Sequence, residues 1–310
     1  MSTLICGSFA FDSIMVFEGR FKDHILPDQV HILNVSFLVP TLRREFGGCA
    51  GNIAYSLALL DGSPLPMATV GDDCQPYLDH LDRLGIDRRF VRQVPGTLTA
   101  QAFITTDLDD NQITAFHPGA MSHSHLNHVV PGGVELGIVG PDGRDGMLLH
   151  AQQMSESGIP FVFDPGQGLP MFETAELRWF VERAHYLALN DYEAKLMAAK
   201  TGSEPEAWAQ RLKCVVVTLG AQGSRIYAGG AVLQIPAAPA RTVRDPTGCG
   251  DAYRAGLLYG ITRGLDWPTT GRLAAVMGAI KIEHSGAQRH APSRAQIEER
   301  FVEAFGYRPW

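Results

Sequence analysis

Short apolar segments alternate with helical segments in the second half of the chain, and this alternation most constrains the fold. "PFVFDPG", "HYLALND" and "CVVVTLG" read as buried strands, each followed by a helix-like segment or a glycine turn. Such strands lie parallel in a sheet that is covered on both faces. Ligands bind at the carboxyl ends of these strands, where Asp164, Asn190 and Gly220 fall. We therefore predict an α/β fold with a mostly parallel central sheet flanked by helices on both faces.

The first third of the chain departs from this alternation because it holds additional β-type segments. Residues 3–17 read as one opening strand that ends around Gly7 and Asp12. In residues 99–121, apolar and polar residues alternate on both sides of "DLDDN", which is typical of a β-hairpin. A length of 310 residues suits one large domain with an appendage, or two domains. We predict a single domain over residues 1–310, with a small β-sheet lid formed by about 13–46 and 96–120.

Charge and composition argue against several classes of function. The net charge of -7 disfavours a nucleic-acid surface, which usually needs a basic face. The sequence has no apolar run of about 18 residues and no basic leader, so neither a membrane span nor a signal peptide is expected. Five cysteines without a CxxC pair suggest neither a disulfide framework nor a zinc knuckle. We expect a cytoplasmic protein with a small-molecule substrate, as a monomer or a homodimer, and no nucleic-acid or membrane partner.

The segment "RDPTGCGDAYRAG" (residues 244–256) carries the strongest chemical signal. Small residues before a helix let the backbone approach a ligand, and the first N–H groups of the helix form an anion site. Gly248, Cys249 and Gly250 would supply these donors, and Asp251 would take a proton from a group that approaches the anion. The alternative is a helix start whose glycines serve packing alone. Neither a GxxxxGK[ST] loop nor a strand-linked GxGxxG is present, so P-loop and Rossmann sites are not expected.

Two segments together resemble the signatures of the ribokinase-like (PfkB) carbohydrate kinases. "DPTGCGD" is similar to the carboxy-terminal signature, although Pro246 replaces a usual threonine and Cys249 a usual alanine. "EFGGCAGNIAYSLALLDG" (residues 45–62) is similar to the amino-terminal Gly-Gly-x-x-x-Asn element. The resemblance runs from Asp12 to about Gly286. It implies a ribokinase-like fold and ATP-dependent phosphorylation of a hydroxymethyl group, with Asp251 as the general base.

The resemblance also implies an acceptor site at the lid. Gly47 and Gly48 would be the hinge between the lid and the main domain, and closure would exclude water. Asn52 would bind a sugar hydroxyl, and Asp12, at the end of the first strand, would accept bonds from vicinal hydroxyls. The alternatives are a helix cap for Asn52 and a turn aspartate for Asp12.

On the donor side, the resemblance implies a site for ATP with Mg²⁺. Glu193 would serve the Mg²⁺ ion together with Asn190, unless the pair is only a helix capping box. Asp164 matches a strand-end aspartate of the family. Gly286 would flank the adenine and, in some members, a monovalent-cation site such as one for K⁺. The residues that would bind the nucleotide are Asn190, Thr218, Gly220, Gly223 and Gly286.

The acceptor is predicted from the apolar character of the lid. A nucleoside needs an apolar slot with an aromatic face for its base. The lid segments resemble those of microbial adenosine and broad-specificity nucleoside kinases, so we predict a nucleoside kinase, with adenosine first and Phe116 in the acceptor site. The alternative within the family is a ribokinase or fructokinase, whose lid aromatics would form only a small core. The apolar residues are Phe17, Phe21, Ile32, Leu33, Phe37, Phe103 and Phe116.

Three further possibilities stay open at this point. A sugar-phosphate kinase would want basic lid residues, for which Arg43 and Arg44 are candidates. A binding or regulatory protein on the same fold is also compatible with the pattern, although it would not need Asp251. The histidine-rich segment "HPGAMSHSHLNH" invites a metal site, but it has no acidic or cysteine partner nearby in sequence, so we expect none there.

Overall fold

The computed structural model describes residues 2–25, 34–109 and 111–310. The strands are β1 (Ser2–Cys6), β2 (Ala10–Val16), β3 (Thr41–Gly47), β4 (Ser63–Val70), β5 (Phe90–Gln93), β6 (Ala100–Thr106), β7 (Gln112–His117), β8 (Val134–Val139), β9 (Phe161–Phe163), β10 (Tyr186–Asn190), β11 (Cys214–Thr218), β12 (Ser224–Ala228) and β13 (Ala231–Ile235). The helices are α1 (Cys49–Leu59), α2 (Gln75–Arg83), α3 (Arg144–Glu156), α4 (Thr174–Arg183), α5 (Asp191–Thr201), α6 (Pro205–Trp208), α7 (Cys249–Arg263), α8 (Trp267–Ile282) and α9 (Arg294–Phe305).

The large sheet has the strand order β13-β12-β11-β10-β9-β8-β1-β4-β5. Every neighbouring pair from β5 to β11 is parallel, whereas β12 and β13 run antiparallel at one edge. Helical crossovers such as α4 and α5 join the parallel strands, as such connections require. The mostly parallel sheet predicted from the alternating segments is therefore confirmed.

Helices cover both faces of this sheet because alternate strand residues point to opposite sides. In β1, Ile5 packs in one core cluster with residues of α1, α7 and α8. Leu4 and Cys6 pack in a second cluster with residues of α3, α4 and α5. Each fully buried aliphatic side chain contributes about 1.5–3 kcal/mol relative to exposure. The chain thus folds around two cores, one on each face of the sheet.

A second, four-stranded sheet has the order β3-β2-β6-β7 and forms the lid. The prediction of one long opening strand over residues 3–17 is wrong, because the chain leaves the large sheet after Cys6 and enters the lid at Ala10. Asp12 consequently lies inside β2, opposite Glu45 of β3, and not at the end of the first strand. The predicted hairpin is confirmed as the antiparallel pair β6–β7.

The helices α7 and α8 lie side by side in the core. A Cβ atom on Gly256 would come within 2.6 Å of the Ala274 Cα, so the small residue allows the two helix backbones to approach closely. Both helices are largely buried. Even so, within the ranges given above, no helix is both long and apolar enough to cross a membrane.

Candidate active site

The turn before α7, residues 245–248, ends in a glycine with a left-handed backbone conformation. Gly248 has a φ of 80°, in the left-handed region, and a Cβ there would lie 2.8 Å from the Ala287 Cβ. The Cys249 N–H was predicted to be one of the donors of the anion site. In this structure it donates to the Pro246 carbonyl at 3.1 Å and is therefore not free for a ligand. The backbone N–H groups of Gly248, Gly250 and Asp251 have no hydrogen-bond acceptor among the residues that the structure describes. Together with the positive end of the α7 dipole, these N–H groups form a site suited to binding an anion.

Asp251 lies in the first turn of α7, and its side chain is partly exposed. One carboxylate oxygen, Oδ2, accepts a hydrogen bond of 2.8 Å from Nδ2 of Asn52. Desolvation raises the pKa of Asp251 to about 6, and the nearby Asp164 and Asp12 act in the same direction. A carboxylate with this pKa is ionised at neutral pH and is a stronger base than an ordinary aspartate. The side chain therefore suits general-base chemistry beside the anion site.

Asn52 is held toward Asp251 by a chain of hydrogen bonds. Its Oδ1 accepts a bond of 2.9 Å from Nε2 of Gln288, which also donates to the Tyr77 hydroxyl at 2.8 Å. Tyr77 in turn donates to the Gly47 carbonyl at 2.8 Å. Asn52 is the fourth residue of α1 and does not cap it, which removes the capping alternative. Sequence reasoning missed Gln288, although it lies only two residues after Gly286.

Gly47 and Gly48 join the lid to α1. A Cβ on Gly47 would collide with the Asp12 carboxylate, and a Cβ on Gly48 would lie 2.5 Å from the Ser8 carbonyl oxygen. Gly48 also has a φ of 85°. Burial and the neighbouring Glu45 raise the pKa of Asp12 to about 6. Gly47 thus lets β3 approach the Asp12 carboxylate, and Gly48 lets the chain pass close to Ser8. Both residues lie at the junction that was predicted to be the hinge.

A buried arginine neutralises part of this acidic site. Both Asp164 carboxylate oxygens accept from Arg254, from Nε at 3.1 Å and from an Nη at 3.0 Å, and Glu193 lies 4.0 Å from the same Nη. The nearby carboxylates, Asp164 first, hold the pKa of Arg254 above its usual value against the opposing effect of burial. Asp164, predicted as a strand-end aspartate, therefore serves here to fix Arg254. Sequence reasoning missed Arg254, although an arginine three residues after Asp251 on an apolar helix was a usable signal.

Asn190 and Glu193 form a reciprocal capping box at the start of α5. The Asn190 Oδ1 accepts from the Glu193 N–H at 2.7 Å, and the Glu193 carboxylate accepts from the Asn190 N–H and Nδ2, both at 2.8 Å. No cluster of three or more acidic, histidine or cysteine residues that could hold a metal ion occurs in the described parts of the chain. Mg²⁺ keeps several waters and binds through few protein groups. The remaining lone pairs of Glu193 fit a contact through such a water, so its metal role stays a prediction.

Of the predicted nucleotide residues, Asn190 and Thr218 are the last residues of β10 and β11, and Gly220 and Gly223 follow β11. Thr218 ends β11, and its hydroxyl donates to the Leu189 carbonyl at 3.4 Å. Gly220 has open space around its Cβ position, whereas a Cβ on Gly223 would collide with the Ile235 carbonyl oxygen of β13. Gly223 is thus required by the β-sheet itself, and Gly220 is free to face a ligand. Gly286 lies against the turn before α7, where its N–H donates to the Asp245 carboxylate at 2.7 Å.

Three of the predicted lid aromatics form a cluster of their own. The ring centroid of Phe17 lies 6.0 Å from that of Phe21 and 4.9 Å from that of Phe37, and Phe21 and Phe37 are 5.0 Å apart. These rings therefore build a small lid core. Ile32 and Leu33, which belong to the same predicted set, fall outside the described residues.

The other two aromatics lie exposed on opposite faces of the lid. Phe116 pairs with Ala102, which pairs with Asp12, so Phe116 shares the face of the lid that carries the Asp12 carboxylate. Phe103 is one residue further along and points to the other face. Phe116 is 52% exposed and Phe103 is 41% exposed. Of these two rings, only Phe116 lies on the face of the lid where a ligand could also contact Asp12.

Comparisons with known sequences agree on the family. A family model described as "pfkB family carbohydrate kinase" matches residues 12–294. A nucleoside kinase of Methanothermobacter thermautotrophicus is 30% identical over 304 residues, which cover 96% of this chain and 98% of that protein.

Solved structures support the same assignment. A Burkholderia thailandensis nucleoside kinase in complex with inosine has a TM-score of 0.90 and 57% sequence identity, over 99% of both chains. A structure of that kinase described as a complex with ADP-inosine has a TM-score of 0.88 and 59% identity, over 99% of this chain and 97% of that one. The predicted ribokinase-like fold with its separate small sheet is confirmed. The family match spans most of the sequence, so the chain belongs to the pfkB family of carbohydrate kinases and is a phosphotransferase with an alcohol acceptor.

Proposed function

We propose that this chain transfers the γ-phosphoryl group of ATP to the 5′-hydroxyl of a nucleoside, with adenosine as the preferred acceptor and inosine and guanosine as further candidates. The observation that carries the proposal is the row formed by Asp12, Ala102 and Phe116 across the lid. It sets a hydroxyl-binding carboxylate and an exposed aromatic ring on one face, as a sugar joined to a planar base requires. The Burkholderia thailandensis relative that binds inosine supports the same acceptor class.

The reaction follows from the groups around the turn before α7. Asp251 takes the proton of the acceptor hydroxyl, while Asn52, in contact with Asp251, and Asp12 hold the sugar. The open N–H groups of Gly248, Gly250 and Asp251 stabilise the charge on the transferred phosphoryl group. Mg²⁺, when bound with ATP, supplies further charge neutralisation. Closure of the lid about Gly47 and Gly48 keeps water from competing with the acceptor.

Arg254 has a supporting role in this scheme. Its guanidinium is bound by Asp164 and lies near Glu193 and Asp251, so it offsets the repulsion among carboxylates gathered at one edge of the sheet. Because the arginine is buried and Asp164 binds its Nε and one Nη, we assign it a positioning role in the site. The positive end of α7 therefore remains the main protein contribution at the phosphoryl group.

The test compares Phe116→Ala with the matched control Phe103→Ala on the other face of the lid. Stacking on an aromatic side chain is worth about 1–3 kcal/mol per base, so Phe116→Ala should raise the KM for adenosine or inosine about fivefold to a hundredfold. Its kcat should change little, because the ring does not touch the reacting atoms. Phe103→Ala should leave both constants near those of the unaltered protein.

Steady-state kinetics with adenosine, inosine and ribose measure these effects. An unchanged nucleoside KM in Phe116→Ala would remove the ring from the acceptor site. Equal effects of the two substitutions would assign both rings to lid stability. Preferred turnover of ribose or fructose would favour the sugar-kinase alternative within the family.

A further inference from the structure

A buried lysine lies directly beneath the turn before α7. Lys281, near the end of α8, has no exposed surface. Its ammonium donates to the Asp245 carbonyl at 2.8 Å and to the His284 carbonyl at 3.0 Å. No carboxylate lies within ion-pair distance of it in the described ranges. A buried charge is costly unless it is bound, so these two backbone carbonyls are what hold it.

The ammonium joins the two segments that shape the anion site. Asp245 begins the turn, and its carboxylate accepts from the N–H groups of Thr247 at 2.9 Å and Gly286 at 2.7 Å. The Lys281 Cε lies 3.7 Å from the position that a Cβ on Gly248 would take, so the lysine stem lies next to the residue where the open N–H groups begin. The positive charge therefore lies behind the donors that face the phosphoryl group.

This arrangement bears on the monovalent cation expected near Gly286. Backbone carbonyl oxygens that converge on one positive charge are the surroundings that K⁺ receives in proteins. Here the carbonyls of Asp245 and His284, from the two segments that meet at Gly286, already bind the Lys281 ammonium. A second cation on the same oxygens would meet like-charge repulsion in a buried space. The residues present thus do not fit a bound K⁺ ion.

We propose that Lys281 is a built-in cation that positions the turn before α7, so that phosphoryl transfer by this chain needs no added monovalent cation. The ammonium does not touch the substrate and acts through the turn. Removing the side chain back to Cβ should open the carbonyl site to K⁺ or NH₄⁺ from solution. The enzyme would then change from cation-independent to cation-dependent.

The test is a cation titration of the unaltered chain, Lys281→Ala and Lys281→Met, and its activity arm rests on the proposed function. Rates are compared in tetramethylammonium, K⁺ and NH₄⁺ chlorides at equal ionic strength. The unaltered chain should change less than about twofold, and Lys281→Ala should lose about tenfold to a hundredfold in tetramethylammonium, the size expected for a disturbed anion site. K⁺ or NH₄⁺ should restore most of that loss. Lys281→Met, whose side chain fills the space, should not be restored.

Thermal unfolding gives a readout that needs no acceptor. A ligand that binds only the folded state raises its stability, so K⁺ should raise the Tm of Lys281→Ala relative to tetramethylammonium. The Tm of the unaltered chain and of Lys281→Met should not move. This arm keeps its meaning if the acceptor is not a nucleoside, so failure of the proposed function is distinguishable from failure of this inference.

Three results would overturn the inference. The first is strong activation of the unaltered chain by K⁺. The second is full activity of Lys281→Ala without added cation. The third is equal rescue of the alanine and methionine variants. If neither variant folds, the titration of the unaltered chain decides, since cation independence supports the inference and K⁺ activation contradicts it.

Discussion

Replacing Asp251 by asparagine should make the protein inactive and more stable at the same time. Burial raises the pKa of Asp251 to about 6 from an ordinary value of 3.8. An acid whose pKa is raised by folding stabilises the folded state while it is protonated, at pH values below its pKa in the unfolded chain. This stability is lost as the pH rises through its pKa in the folded state. At about 1.4 kcal/mol per pKa unit, the loss above pH 6 is about 3 kcal/mol, and partial exposure reduces it to about 1–3 kcal/mol.

Asparagine avoids this cost because it carries no charge and can still accept from Asn52 through its own Oδ1. The Tm of Asp251→Asn at pH 8 should exceed that of the unaltered protein by about 2–12 °C, from about 1–3 kcal/mol at about 2–4 °C per kcal/mol. The gap should close as the pH falls from about 6 to about 4. The kcat should fall about a hundredfold to ten-thousandfold, since the general base is gone.

Differential scanning fluorimetry from pH 4 to 9 and steady-state kinetics on the same samples measure both effects. Asp145→Asn, at an exposed surface aspartate, is the control for the same chemical change, and it should keep the kcat of the unaltered protein. In the unaltered protein, kcat/KM should fall below about pH 6 with the protonation of Asp251. A variant that keeps substantial turnover refutes the general-base role. If Asp251→Asn is less stable than the unaltered protein at pH 8, the claim that burial of the Asp251 carboxylate costs stability is refuted.

Two further substitutions test the site. Asn52→Ala should raise the acceptor KM and move the acid limb of kcat/KM to higher pH, because Asp251 loses a donor to its charged form. An unchanged KM and an unmoved limb would remove Asn52 from the site. Gly248→Ala should lower both kcat and Tm, since the alanine Cβ would meet Ala287 at 2.8 Å in a left-handed conformation. Gly250→Ala is its matched control, because nothing in the chain lies within 4 Å of that Cβ position. An equal loss of Tm in both would contradict the strain argument.

The strands and turns that could be predicted are those with strong local patterns. Residues 160–166 and 184–199 carry their pattern in a few consecutive apolar residues, and both form the expected elements. Residues 129–152 carry only a weak signal with glycine-rich turns, yet they include β8 and most of α3. The opening strand was predicted too long because the change from one sheet to the other depends on tertiary pairing. Local periodicity cannot show which sheet a strand joins.

The candidate site was predicted where chemistry and sequence signature coincide. Asp251 and Asn52 were found because each lies in a short recognisable motif, and the structure brings them into contact across 199 positions of sequence. Gln288, Arg254 and Lys281 were missed because their roles arise from partners far away in the chain. An apolar helix can mark a charged residue such as Arg254 as buried, but only the fold shows which partners bind it.

The most direct test of nucleoside phosphorylation is ADP release with ATP and Mg²⁺ against a panel of acceptors. The panel is adenosine, inosine, guanosine, cytidine, ribose, fructose and fructose 6-phosphate, with Asp251→Asn as the blank. We predict turnover with nucleosides, highest for adenosine, and little with free sugars. Turnover with ribose or fructose alone would contradict the acceptor assignment and remove Phe116 from the acceptor site, and turnover with none of them would contradict the proposed function as a whole.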